Sequence, residues 1–242
     1  MENMEQNSKS PSFRELGTLA GFIVDFLSTI LNFDQVKYWL GHKTELKNKL
    51  REVFSISDEY NEIREQWINF YKTHFNWTVD FSRVLIPQKP KETGWTLLII
   101  AKGLTCNKIY EIWSKLFKCW RYTNDLDKEV TSIRTSSDHY AIWVRDREEP
   151  DTEFLGKSTK ESDPEMKIGM TLLERIFLES KYFAETGKHL DIKGVTFCSG
   201  SRNSGGYVPR VYWDPYDQSV HVCWWNVFSS YSGFGVRRAV SL

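Results

Sequence analysis

The last 49 residues of the chain, 194–242, contain no lysine and no glutamate. Elsewhere both are common, with 19 Lys ending at Lys193 and 19 Glu ending at Glu185. An even spread over 242 residues would place about 8 of them in that segment, and these are side chains that interface centres avoid because they are costly to desolvate. Net charge is missing too, since 32 basic and 32 acidic residues cancel. A duplex nucleic-acid binder carries a basic excess to offset phosphates, so that class is set aside. No long hydrophobic run is present: the longest apolar stretch, 19–31, is broken by Asp25, Ser28 and Thr29 and is too short to span a bilayer. The opening MENMEQNSKSPS lacks the apolar segment of a secretion signal. Residues 1–12 are therefore expected to be a disordered tail and the chain cytoplasmic, with surface exposure left open.

The usual chemical signatures are absent as well. Cys106, Cys119, Cys198 and Cys223 form no CxxC pair and no zinc spacing, and are expected as buried free thiols in a reducing compartment. No HExxH, GxSxG, GxGxxG or P-loop pattern occurs. The glycine-rich GSRNSGG (200–206) precedes a strand pattern instead of a helix N-terminus, which favours a turn over a phosphate cradle. A serine of SGSR with His189 or His221 would lack a partner carboxylate at a telling spacing, and the five histidines form no i, i+4 pair. No catalytic residue, cofactor or metal ligand is assigned, and an enzyme is not expected.

What is present divides at IPQKPKETG (86–94), whose prolines and glycine suggest a boundary. Residues 13–90 form a helical N-terminal region. Phe22, Ile23, Phe26, Leu27, Ile30 and Leu31 recur at helical spacing; a second helix from Thr44 carries Leu46 and Leu50; a third, after a Ser57–Asp58 cap, carries Ile63, Trp67, Phe70 and Tyr71. These stripes are expected to face a core, with a partner helix as the alternative. Residues 91–242 form a second, α+β domain. WTLLIIAKG (95–103), KCWRYT (118–123) and YAIWVRDR (140–147) have strand character around an amphipathic helix opened by Thr105. Segment 148–167 is a charged linker expected to be exposed and mobile. A helix over 170–190 ends at Gly187, and from Asp191 a β meander follows: VTFCSGSR, YVPRVYW, SVHVCWW and FGVRRAV.

Over 207–242, nine of 36 residues are aromatic, set among Ser, Asn, Arg, His and Gly. Tyr and Trp give large contact area with few torsions to freeze, and Ser, Gly and Asn give adaptable hydrogen bonds, which is the chemistry of an antibody paratope. An ordinary β-sheet, which also favours aromatics and mildly disfavours Lys and Glu, would explain the aromatics well and the complete absence of Lys and Glu poorly. Alternation puts Val220, Val222 and Trp224 on one face and Ser219, His221, Cys223 and Trp225 on the other; likewise Val211 and Trp213 face in while Arg210 and Tyr212 face out. The candidate ligand-binding residues are Tyr207, Arg210, Tyr212, Tyr216, His221, Cys223, Trp225, Asn226, Phe228 and Tyr231.

The stretch GSRNSGGYVPRVYWDPYDQSVHVCWWNV with the later GFGVRRAV resembles the C-terminal end of variable (target) proteins of diversity-generating retroelements. The resemblance spans about 140–242 and concentrates in 199–206, 208–213, 220–224 and 237–240. It implies a C-type-lectin-like fold over 91–242, with diversified residues on its last strands and loops. In that family, mutagenesis of adenines in Asn-type codons cannot produce Lys, Glu, Gln, Met or Trp, which matches the gap after Lys193. By the same logic Gln218, Trp213, Trp224 and Trp225 would be framework positions or come from other codons, with Trp225, on the outward face, fitting least well. The EPN and QPD triplets of calcium-dependent lectins are absent, and no cysteine pair suits a formylglycine-generating activity.

The expected function is therefore ligand display: a diversified surface recognising a protein or cell-surface ligand, with no cofactor, no membrane span and self-association left open. The alternative is a nucleic-acid-associated domain or an enzyme with an aromatic β surface, built on the 95–123 strand–helix–strand unit.

Overall fold

Capping boxes open the first two helices. In α1 (Phe13–Ile30) the Ser12 side chain accepts from the Glu15 N–H while the Glu15 carboxylate accepts from the Ser12 N–H at 2.7 Å; Asn32 and Gln35 do the same for α2 (Phe33–Gly41). With α3 (Lys43–Phe54) these helices belong to the first of two compact units, Met1–Asn61 and Glu62–Leu242. The computed structural model describes residues 12–54 and 58–242; nearly all of the expected tail, and Ser57 of the expected cap, lie outside the described residues.

The expectation of a core face on α1 fails. Neither α1 nor α2 buries a residue, and Phe22, Phe26 and Ile30 are 77%, 58% and 54% exposed. Three short helices enclose too little volume to sequester their own apolar stripes. Val24, Leu27, Leu31, Val36, Trp39 and Leu40 line only an open apolar depression within this unit.

The second unit starts inside α4 (Asp58–Phe75), upstream of the proline-containing loop at 86–94 that the sequence suggests as the boundary. The reason is packing. Tyr71 is fully buried, its hydroxyl donating to the Ile99 carbonyl (3.0 Å) and accepting from the Ala101 N–H (2.9 Å), while Trp67 Nε1 donates to the Leu97 carbonyl (3.1 Å). These side chains satisfy the outer edge of β1 (Trp95–Ile100), whose other edge is paired, and an edge strand needs such cover when buried.

A three-stranded antiparallel sheet runs β1, β4 (Tyr140–Arg145), β10 (Ala239–Val240). A mixed five-stranded sheet runs β2 (Cys119–Arg121), β8 (Ser219–Trp225), β7 (Val208–Asp214), β5 (Val195–Phe197), β9 (Phe234–Val236). β3 (Val130–Ser132) and β6 (Ser201–Asn203) form a short ribbon. The unit is thus α+β. Two details depart from the sequence reading. The 95–123 strand–helix–strand segment does not close on itself, since β1 and β2 lie in different sheets on either side of α5 (Cys106–Leu116). The C-terminal meander is partial, because β9 pairs parallel with β5 and β10 leaves for the other sheet.

Segment 148–167 is no mobile linker. It holds a short 3-10 turn at Thr152–Phe154 and α7 (Thr159–Ser162), and it buries Asp151, Ser158, Thr159 and Asp163. The Asp163 carboxylate accepts from the Lys167, Ile168 and Gly169 N–H groups and from Ser199 Oγ (2.6 Å), so four donors hold it in place. α6 (Leu126–Glu129) and α8 (Leu172–Thr186) complete the elements; α8 is capped by Thr171 and ended by Gly187 at φ +67.

A buried ion network ties α8 to the sheet. Arg175 donates to Asp191 Oδ2 through Nε (3.0 Å) and Nη2 (2.7 Å) and to Glu179 (2.9 Å), and Arg237 donates to Asp191 Oδ1 and to Thr196. Burial pushes the Asp191 carboxyl up, but the flanking Arg175 and Arg237 outweigh it and hold the group below its ordinary value.

Candidate ligand-binding surface

The β7–β8 hairpin carries the expected alternation in part: Arg210, Tyr212 and His221 are partly exposed, but Ser219, expected on the same face as His221, is 1% exposed. Val211, Val220 and Val222 are 0–1% exposed on its inner face. Its turn is set by Asp214, whose Oδ1 accepts from the N–H groups of Tyr216 (2.8 Å) and Asp217 (3.2 Å), and by Gln218 at φ +51. The register pairs Arg210 with Cys223 and Tyr212 with His221. Pairing places these four side chains together on the outer face.

β2 extends this face by adding parallel to β8 with Trp120 opposite His221. Trp120, His221 and Tyr212 thus form a row across three strands, with ring centroids 5.2 and 5.3 Å apart. Above the row opens a depression of about 880 Å³, lined among others by Trp120, Tyr122, Tyr207, Arg210, Tyr212 and His221. Glu129 and Asp217 line it as well, as do Asn203, Cys223 and Trp224.

Five of the ten residues singled out from sequence meet here: Tyr207, Arg210, Tyr212, His221 and Cys223. Cys223 corrects an expectation, since it is only 7% exposed and lies at the floor of the depression, its Sγ accepting from Arg210 Nε at 3.0 Å. Burial raises the Cys223 thiol, with Arg210 opposing, and burial raises the Tyr212 hydroxyl to about 12. The other five lie outside the depression. Tyr216 is 97% exposed at the hairpin tip, and Phe228 and Tyr231 are exposed. The Asn226 side chain accepts from the Phe228 N–H, a turn-forming bond. Trp225 is a second correction: it packs against the buried Phe197, Val208 and Val236, because on this side the sheet's outer face is covered by Phe154 and Phe234.

Sequence reasoning missed Trp120, Tyr122, Thr123, Glu129, Asn203 and Asp217, and it placed Trp224 on the inner face, whereas its ring meets Tyr122 edge-on at 6.5 Å beside the depression. The alternation of KCWRYT was visible, but the neighbour of that strand was not. Trp213 does turn inward, stacking on His189 at 4.1 Å.

Other chemistry is spoken for. Ser199 Oγ serves Asp163, Ser201 Oγ accepts from the Leu172 N–H, and His189 Nδ1 contacts Glu179 at 2.9 Å, so these serines and this histidine do not meet. All four cysteines are free. Among the described residues, the one group whose ligand atoms converge within 4.8 Å is Asp214, Asp217 and His221. Both ring nitrogens of His221 have partners: Nε2 lies 2.9 Å from Ser219 Oγ and 3.2 Å from Asp217, and Nδ1 lies 3.5 Å from the Tyr212 hydroxyl. No described helix is long and apolar enough to cross a membrane. Compared with protein-family models, curated proteins and solved structures, the chain matches none.

Proposed function

We propose that this chain is a ligand-display protein, the target protein of a diversity-generating retroelement, whose Glu62–Leu242 unit is a C-type-lectin-like domain. Its binding surface is the outer face of β2, β7 and β8, and its ligand is a protein or cell-surface epitope. One observation carries the reading: the hairpin sets rigid valines inward and Arg210, Tyr212 and His221 outward, with Tyr207 just before it, into a broad open depression, from a stretch free of Lys and Glu. Tyr, Trp and Arg are the side chains that anchor binding sites. A surface built this way changes its chemistry without disturbing the scaffold beneath.

The test has two arms. A reverse-transcriptase gene beside this one, with a near-copy of the coding segment for the terminal strands differing at adenines, establishes the retroelement assignment; its absence removes it. The double variant Trp120→Ala, Tyr207→Ala abolishes binding to partners selected against the full chain while shifting Tm by no more than about 2 °C per site. Unfolding instead would make these rings part of the core.

The runner-up is a single-stranded nucleic-acid surface, favoured by the exposed rings of Trp120 and Tyr122, on which bases stack. Glu129 and Asp217 beside them oppose a phosphate backbone. A salt-dependent oligonucleotide titration separates the two.

A further inference from the structure

Arg210 stands apart from the other enclosed arginines of its unit. Arg134, Arg145, Arg175 and Arg237 each reach a carboxylate, Arg202 is spent on the carbonyls of Ser199 and Ser201, Arg121 donates to Asn107 Oδ1 and Arg64 to the Val84 carbonyl, so each of them meets an oxygen. Arg210 has no carboxylate partner among the described residues. Its one hydrogen bond, Nε to Cys223 Sγ, leaves both terminal nitrogens without a protein acceptor. Its guanidinium is nevertheless held in place: it lies 4.2 Å from the Trp225 ring centroid, 5.2 Å from that of Tyr212 and 5.5 Å from that of Phe234. A planar fork fixed by aromatic faces, with free N–H groups and an open depression in front of it, is preorganised for a planar two-oxygen acceptor.

We infer that the depression recognises an acidic side chain, Asp or Glu, on an exposed loop of a protein partner, bound two-pronged by Arg210 and flanked by apolar side chains packed on Trp120 and Tyr207. This rests on the display reading above and names the chemistry of its ligand. Two observations select a carboxylate over a phosphate. The depression offers one unpaired arginine and no lysine, and Glu129 and Asp217 line it, so a dianion would be repelled where a single negative charge is matched. The same two acids favour a partner loop with a basic or polar residue beside its acid. Trp225 thereby gains a role despite lying outside the depression: it positions Arg210.

The experiment pans a displayed library of random loops against the full chain at physiological salt, then remakes each enriched loop with Asp→Asn or Glu→Gln. The expected result is an acid at a fixed place in the enriched loops. Its amide variant binds wild type at least about tenfold more weakly, the loss of roughly 1.4 kcal/mol expected of a charge-assisted hydrogen bond. Against Arg210→Gln the acid and amide loops bind alike, whereas Arg210→Lys retains a preference for the acid. The wild-type comparison of acid and amide loops involves no protein variant, so it decides even where Arg210→Gln fails to fold. Loops that need Tyr207 and Trp120 but share no acid overturn this inference and leave the display reading standing. Loops indifferent to Tyr207→Ala and Trp120→Ala, or no enriched loops at all, overturn both.

Discussion

Replacing Asp191 by Asn removes one negative charge from the buried network and almost nothing else. The side chain keeps its size, and Asn tolerates the left-handed backbone at φ +56 as well as Asp does. Arg175 and Arg237 are 0–1% exposed, so neither can recover water in place of the lost carboxylate. Arg175 keeps Glu179, but Arg237 is left with Thr196 and the carbonyls of Arg147 and Glu148. Breaking a buried pair by removing one partner costs about 3–5 kcal/mol. For a unit of this size that lowers Tm by about 6–20 °C, read by calorimetry at pH 7. The pH dependence has a definite sign. Asp191 is held below its ordinary 3.8, so its stabilisation is complete above about pH 4 and is lost as pH falls through the lower folded value. The gap between wild type and Asp191→Asn therefore narrows in acid. A variant within about 1 kcal/mol of wild type at pH 7, or a gap that stays constant down to about pH 2, refutes the account.

Tyr71→Phe orphans the Ile99 carbonyl and the Ala101 N–H at a buried edge and should cost about 1–3 kcal/mol in denaturant unfolding. Gly169→Ala would drive a methyl group into the Ser199 side chain that holds Asp163; purified protein should melt several degrees lower, by about 2 kcal/mol or more. Cys198 is fully buried and its thiol raised by that burial, so iodoacetamide at pH 7.5 should label it only once urea unfolds the chain. Native labelling of Cys198 within minutes would contradict its enclosure.

Much of the second unit was legible because its signals are local. Thr105 and Gly187 bound their helices as their chemistry suggests, and the alternation of VHVCWW correctly sorted Val220 and Val222 from His221. The failures share a cause: each depends on what lies opposite. The stripe of α1 has the spacing of a core face, yet spacing does not supply a second surface to cover it. Segment 148–167 is charged and proline-containing, as linkers are, but Asp163 finds four donors there.

By itself, the sequence determined the candidate surface's chemistry: aromatic, free of Lys and Glu over its terminal strands, with Val211, Val220 and Val222 on the opposite face. Only the tertiary structure decided which of those side chains act together. The parallel addition of β2 brought in Trp120 from about 100 residues away, the covering of the far side withdrew Trp225, and among the described residues no carboxylate comes close enough to pair with Arg210. A strand's period of two says which residues share a face, while the neighbours of that face are set by packing between segments far apart in the chain.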